Sequence, residues 1–403
     1  YNPATKQKID YDGLDFYTGY LINPSVVTLK DQTNYPGKTV VFGASSEGIA
    51  LFNLGKQQAQ FIKEPLPHES FSMRTIHGGY RDEILVSSMA STKFVIYDAA
   101  QKKVKKELEM SQKEGINAID GKYYVGSYGD NASLIEIDPD NWATAKKADM
   151  AGHGQNRAFV VEDAEKYILW GTVPDYGTRG GAVGIYNKDA GTSIVKSKFD
   201  PIQNQSISGL AYRDGKIYGC TNMFCGLGVE PVVEWARIFR LDAATGNFEG
   251  AQFVQLTTDS NRQYFAGGMT FDSQGRLFMA CPQTLVEIDP ATLQVKRELR
   301  LGNLTIPSDS MRWQPFALEW GPNGLLYTNI GGVMSAVDVD AWEAKTLLNQ
   351  STAMLTLGTD NNVYYMSDSN YGLSRINLTG TVWCSGQDTA KILDLTVNGI
   401  PLK

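Results

Sequence analysis

The side chains able to do acid–base or anion chemistry are few, and they cluster in short polar segments. Only three histidines occur: His68, His77 and His153. His153 stands between glycines in AGHGQNRAFV, where the backbone can approach a ligand, and Arg157 follows four residues on. An imidazole near a guanidinium suits proton transfer beside an anion. His68 lies between Pro67 and Glu69 in PLPHESFSMRT. His77, in RTIHGGYRDE, reads better as a structural histidine. GTVPDYGTRGG contributes Asp175, Tyr176 and Arg179, and GSYGDNAS contributes Tyr128 and Asp130. Asn222, Glu230 and Glu234 sit in CTNMFCGLGVEPVVEW, Tyr264 in NRQYFAGG, Arg312 and Trp313 in SMRWQPFA, and Asp368 in SDSNYG. Aromatic faces stack on pyranose rings, while amides and guanidinium groups bond hydroxyls and carboxylates. The set therefore suits a sugar carrying a carboxylate. Each residue alone also suits an ordinary polar loop.

Several chemistries lack their motifs. There is no G-x-S-x-G elbow, no H-E-x-x-H and no P-loop. Three scattered histidines make no metal constellation by spacing. Asp130, Asp175 and Asp368, on three loops, leave room for a Ca2+ ion, but no cofactor is required. Glu230 and Glu234 are a conceivable carboxylate pair for glycoside hydrolysis, and equally a solvated loop.

The net charge of −7 and pI of about 5.2 provide no basic face for nucleic acid. No stretch approaches the roughly 18 apolar residues of a membrane helix. The sequence starts at Tyr1 without an initiator Met and carries five glycosylation sequons, at Asn131, Asn204, Asn303, Asn349 and Asn377. A processed secretory protein would start so, as would a trimmed chain, and the sequons favour a secreted glycoprotein; a monomer is expected. Four cysteines are too few for a disulfide framework, although Cys220 and Cys225 flank a loop that a bridge could close.

One pattern positions these residues. An apolar strand leads through a polar turn to a strand ending in a small residue. A loop follows, then a strand closed by an apolar–Asp/Asn pair, then a charged amphipathic strand. INAID, GKYYVGS, SLIEIDP and TAKKA form one copy; GGMTFDSQG, RLFMAC, TLVEIDP and QVKREL form another. The closing marker recurs at Asn53, Asp98, Asp138, Asn187, Asp242, Asp289, Asp338 and Asn377, at spacings from 39 to 55 residues. That period, with short alternating strands and little helical periodicity, predicts an all-β chain. Its expected form is a single β-propeller domain over 1–403, with eight four-stranded blades by marker count and seven as the alternative. The loop leading into each innermost strand and the loop between the second and third strands should share one face. That rule gathers His153, Arg157, Tyr176 and Arg179 at one sector and sends His77 to the opposite face.

GTVPDYGTRGGAVGIYN, then SISGLAYRDGKIYGCTNMFCGLGVEP and ARIFRLDAATG, resembles secreted propellers labelled quinoprotein-like. In these a GTSxxYGxxGGxLxVYD blade precedes a YGGTSxxGGLG blade. The specific likeness covers 171–289; Cys220 and Cys225 depart from it where that family has small residues, and no quinone-docking repeat is visible. Single-propeller polysaccharide lyases share this size, among them ulvan lyases, oligogalacturonate lyases and the fungal rhamnose–glucuronate lyases, which the sequence resembles most. The resemblance implies β-elimination at O4 of a uronate. On it, His153 is base or acid, Arg157 and Arg179 clamp the carboxylate, Tyr176 or Tyr128 donates the proton, and His68 is an alternative base. Asn222, Tyr264, Arg312 and Trp313 would complete the substrate contacts. A related propeller family hydrolyses the same bond, and a non-enzymatic glycan- or protein-binding propeller is the reading from another class.

Overall fold

In the computed structural model, residues 5, 21–44, 48–62, 71–197, 199, 202–233, 235–257, 263, 265–303, 316–349, 351–367, 370–378, 396–397 and 400–401 are described. Eight of the nine antiparallel sheets among the described residues answer the eight markers one for one; the ninth is the two-stranded pair Thr396–Val397 and Ile400–Pro401. Seven are four-stranded, and the eighth has three described strands, Leu355–Leu357, Val363–Ser367 and Gly372–Ile376. The chain is an all-β propeller, as the repeat predicts.

The marker has a local cause. At the end of seven of the third strands its side chain accepts a backbone N–H from the turn that follows. Asp98 takes Gln101 N at 2.7 Å, Asp138 takes Asp140 N at 2.9 Å, Asp289 takes Ala291 N at 2.8 Å and Asp338 takes Asp340 N at 2.8 Å. Such Asx turns reverse the chain into the fourth strand. The turns after the first strands use another device. Asp120–Gly121 (φ 49° and 78°) and Asp214–Gly215 (φ 50° and 75°) both hold two consecutive positive φ values, as a tight type I′ hairpin needs.

Residues 1–70 and 71–403 form two compact units. The first holds one sheet, Leu21–Val27, Thr39–Ala44, Gly48–Asn53 and Gln58–Ile62. There Asn53 donates to Thr39 Oγ1 at 2.9 Å and accepts from Lys56 N at 2.8 Å, so the marker works in this sheet too.

The second unit holds the other seven of the eight, and these close on themselves. Their innermost strands are Met73–Gly78, Lys113–Ile119, Gln155–Ala164, Ser206–Arg213, Met269–Phe271, Leu318–Trp320 and Leu355–Leu357. Asn117 reaches Val161 O at 3.2 Å, Gly268 N reaches Ser208 O at 3.3 Å, and Thr356 Oγ1 reaches Glu319 at 3.5 Å. Gly78 N then donates to Thr356 Oγ1 at 2.8 Å, joining the eighth sheet to the second. Met73, Ile76, Ile84 and Val86 pack there against Tyr364 and Met366. The ring inside 71–403 thus has seven members of the eightfold repeat, and closing it removes the exposed strand edges of an open sheet stack.

Burial follows the radial order. The second strand Tyr167–Pro174 is buried throughout, whereas the outermost strand Lys103–Glu109 is almost wholly exposed. Trp170 fills the space between the third and fourth sheets and donates to Ala132 O at 3.2 Å. A Cβ on Gly184 would lie 2.3 Å from that indole, so only glycine fits opposite it. The seven innermost strands surround a central channel with about 820 Å³ of empty space.

Candidate functional site

At one mouth of the channel the second, third and fourth sheets bring an acid, two arginines and two tyrosines together. Glu114 opens the innermost strand of the third sheet, and its side chain is fully buried. It accepts from Arg74 Nε at 2.5 Å, Arg157 Nη1 at 2.6 Å and Gln112 Nε2 at 2.7 Å. Arg74 begins the innermost strand of the second sheet and Arg157 that of the fourth, so one carboxylate ties three sheets. Among the described residues, this one carboxylate meets two guanidinium groups. Arg74 and Glu114 also line the channel wall.

Above this pair, the Arg157 guanidinium lies 3.8 Å from the Tyr128 ring centre. Tyr128 follows the second strand of the third sheet and pairs with Arg157 in an isolated bridge. Its hydroxyl is 2.6 Å from that of Tyr176, to which Arg157 Nη2 donates at 3.4 Å. Tyr176 is exposed, at 47%. The hydrogen bond with Tyr128, reinforced by Arg157, holds the Tyr176 hydroxyl below the usual phenol range, while the same bond raises Tyr128. Either hydroxyl can donate in the neutral pair; once Tyr176, the lowered group, is ionised, Tyr128 is the donor. A phenol poised so, open to solvent over a cation, can take a proton from an acidic carbon.

The expected sector at the opening of the fourth sheet therefore brings together Arg157, Tyr176 and Tyr128. It does not bring in His153, whose Nδ1 lies 2.9 Å from Ser197 Oγ on the outermost strand of its own sheet. The glycines around it, Gly152 (φ 80°) and Gly154 (φ 65°), turn the loop outward. Arg179 is also held elsewhere, donating to Glu230 O through Nε at 3.1 Å and Nη2 at 3.0 Å. Asn222 is buried, accepts from Phe224 N at 2.9 Å and bridges to Phe265, which is a loop-shaping role. His68, Tyr264, Arg312 and Trp313 lie outside the described residues, as do Glu234 and Asp368. Asp130 is engaged by Lys146 at 3.0 Å and Ser133 at 2.8 Å. No group of three metal-ligating side chains occurs among the described residues. Cys220 and Cys225 are not bridged to each other: the first donates to Ala266 O at 3.4 Å and the second to Asn204 O at 2.9 Å.

Arg74, Gln112 and Glu114 escape the sequence reading. Arg74 stands near the end of the segment PLPHESFSMRT, whose more reactive residue type is His68, and lies just inside the strand Met73–Gly78. Glu114 had a usable signal: Lys113–Glu114 places two charges at the start of an otherwise apolar innermost strand.

His77 sits at the far end of its strand from Arg74, on the side the register predicts. Its Nδ1 lies 2.6 Å from Gly78 O, a carbonyl that can only accept. Glu162 and Glu319 line the channel with it. Burial, then Asp163 and Glu319, pushes the Glu162 carboxyl up to about 8; burial raises Glu319 as well. Two carboxyl groups thus sit at the end of the channel away from Arg74.

The chain matches no family model and no curated protein. Among solved structures it is similar to the Dos1 propeller, with 9% identity and a TM-score of 0.50 over 81% of this chain and 86% of that one. It is also similar to luciferin-regenerating enzyme, with 15% identity and a TM-score of 0.45 over 66% of this chain and 86% of the other. The Dos1 likeness bears on the propeller fold alone. No helix among the described residues is long and apolar enough to cross a membrane.

Proposed function

We propose that the chain is a carbon–oxygen lyase that cleaves a uronate-containing glycan by β-elimination, outside the cell. One observation carries the reading: the Tyr128–Tyr176 hydroxyl pair at 2.6 Å, with the Tyr128 ring stacked on the Arg157 guanidinium. Elimination needs the C5 proton of the uronate made acidic, removed, and a proton returned to the leaving oxygen. The Arg157 guanidinium beside the tyrosine pair attracts the uronate carboxylate and stabilises the negative charge that develops on it. Tyr176, as phenolate, takes the C5 proton. The C4–O4 bond breaks as the C4=C5 double bond forms, and the proton on Tyr176 passes to O4. Tyr128 steadies the phenolate between these steps. The bookkeeping closes without oxidant or cofactor.

Hydrolysis of the same bond has less support. It would use two carboxylic side chains about 5–9.5 Å apart. The mouth described here offers Glu114 alone, and that carboxylate is held by two arginines.

The test is incubation with rhamnose–glucuronate glycans while following ultraviolet absorbance of the unsaturated uronate. A rise that disappears in Tyr176→Phe supports the lyase. Release of reducing sugar without that absorbance identifies a hydrolase, and binding without either product identifies a lectin-like propeller.

A further inference from the structure

Where the third sheet begins, beside the channel mouth, a lysine is buried against hydroxyls instead of a carboxylate. Lys113 is 1% exposed and forms no ion pair among the described residues. Its Nζ meets Ser111 Oγ at 3.0 Å and Ser127 Oγ at 3.2 Å. Asp130 attracts it only from a distance, being itself engaged by Lys146 and Ser133. A lysine is rarely fully buried unless an acid pairs with it, because the ammonium loses its hydration. Burial therefore favours the neutral amine and lowers the group to about 8. Ser111, in contrast, is exposed. The segment that carries it is well fixed. Met110 N donates to Thr92 O at 2.8 Å, Ala90 N to Gln112 Oε1 at 2.8 Å, Lys113 N to Ser87 Oγ at 2.8 Å and Tyr128 N to Gln112 O at 3.0 Å. Among the described residues, the backbone N–H groups of Ser111 and Gln112 meet no acceptor.

We propose that Ser111 and Lys113 are the nucleophile and the base of a second, serine–lysine site that hydrolyses short carboxylic esters. The arrangement has the three parts that such acyl transfer uses. The exposed Ser111 hydroxyl is open to an ester carbonyl. The Lys113 amine, 3.0 Å away, is placed to take its proton. Ser127 holds that amine in turn and is linked through Ser133 at 3.1 Å to Asp130. As Ser111 Oγ bonds to the carbonyl carbon, its proton passes to Lys113 Nζ and negative charge moves to the carbonyl oxygen. The two unused N–H groups beside the hydroxyl are the donors nearest that charge in sequence. The bond from this carbon to the alcohol oxygen then breaks, and Lys113 returns the proton to the alcohol. Water attacks the acyl-serine in the same way, which releases the acid and restores Ser111. A short acyl group suits a hydroxyl on an open rim, because it needs no apolar pocket. The site uses neither Tyr176 nor Arg157, so it stands independently of the uronate reading.

Release of p-nitrophenol from p-nitrophenyl acetate tests the site. Ser111→Ala removes only an exposed hydroxyl, so its melting temperature should be unchanged. Its rate should nevertheless fall about 100-fold or more below that of the wild type, the scale of a positioned nucleophile and base. Acid-quenched wild-type protein should carry the acetyl group on Ser111, as located by peptide mass spectrometry. Lys113→Arg keeps a charge but stays protonated, so it should be as slow as Ser111→Ala. The rate in excess of Ser111→Ala should climb with pH and level off above about 8, as Lys113 loses its proton. Equal release by the wild type and Ser111→Ala would overturn the proposal, whatever the fate of the Lys113 variant. So would wild-type release by a folded Lys113→Arg protein, which would show that the lysine only fills space.

Discussion

Arg157 makes two contacts that belong to different jobs: its Nη1 holds Glu114 at 2.6 Å, and its guanidinium plane carries the Tyr128 ring at 3.8 Å. The first ties the third and fourth sheets together at the channel mouth. The second places a cation beneath the Tyr128–Tyr176 pair. Structural support and the proposed acid–base chemistry therefore meet in one side chain, and the experiments below separate them.

Removing only the Tyr176 hydroxyl addresses the chemistry. Tyr176→Phe should lower kcat on a uronate glycan by about 100-fold or more, the scale of general acid–base catalysis, with KM changed little. Because Tyr176 is exposed, the melting temperature should hardly move. Wild-type turnover in this variant would remove Tyr176 from the mechanism.

The pH dependence gives a second handle. Tyr176 must be ionised to accept a proton, so activity should rise with pH along a limb set by its lowered pKa. Tyr128→Phe removes the donor that stabilises the phenolate, so the limb should shift to higher pH. An unshifted limb in kcat/KM profiles would show that another group titrates.

Glu114 tests the structural job. Glu114→Ala leaves Arg74 and Arg157 facing each other in a buried place, and should cost about 3–5 kcal/mol of stability. Chemical denaturation reads this directly. A loss within about 0.5 kcal/mol would mean that the carboxylate does not hold the sheets.

His153→Ala should keep activity within about two-fold, since the imidazole bonds to Ser197 on the outermost strand and not to the tyrosine pair. Initial rates against the wild type decide the point.

Two buried groups make opposite contributions to stability against pH. Glu162 holds its proton up to about pH 8, while in the unfolded chain it loses it near the ordinary carboxyl value. Between those pH values the folded state binds the extra proton, so stability falls as pH rises, by a few kcal/mol at most because Glu162 keeps some contact with channel water. Lys113 is buried against Ser111 and Ser127, and burial lowers it to about 8. Above that pH the unfolded chain holds the extra proton, so stability rises until the lysine also titrates unfolded. The two limbs meet near pH 8. Glu162→Gln should flatten the falling limb and Lys113→Met the rising one, as followed by thermal melts across pH.

The repeat was legible in the sequence because its marker is a local device. An Asp or Asn closing the third strand bonds the next turn whatever surrounds it, as Asp98, Asp138 and Asp289 do. Strand alternation and the Asp-Gly hairpins are equally local. They establish the propeller, the count of sheets and the face on which each loop opens, and so the grouping of Arg157, Tyr128 and Tyr176. What tertiary structure alone decided is which side chains turn inward. His153 and Arg157 stand four residues apart, yet one bonds outward to Ser197 and the other inward to Glu114. Glu114 matters only because Arg74 and Arg157, some 40 residues away on either side, reach it from neighbouring sheets. Ring closure has the same character: Gly78 meets Thr356 across 278 residues of chain. Such contacts depend on how radially packed sheets present their edges, and no spacing along one strand encodes that distance.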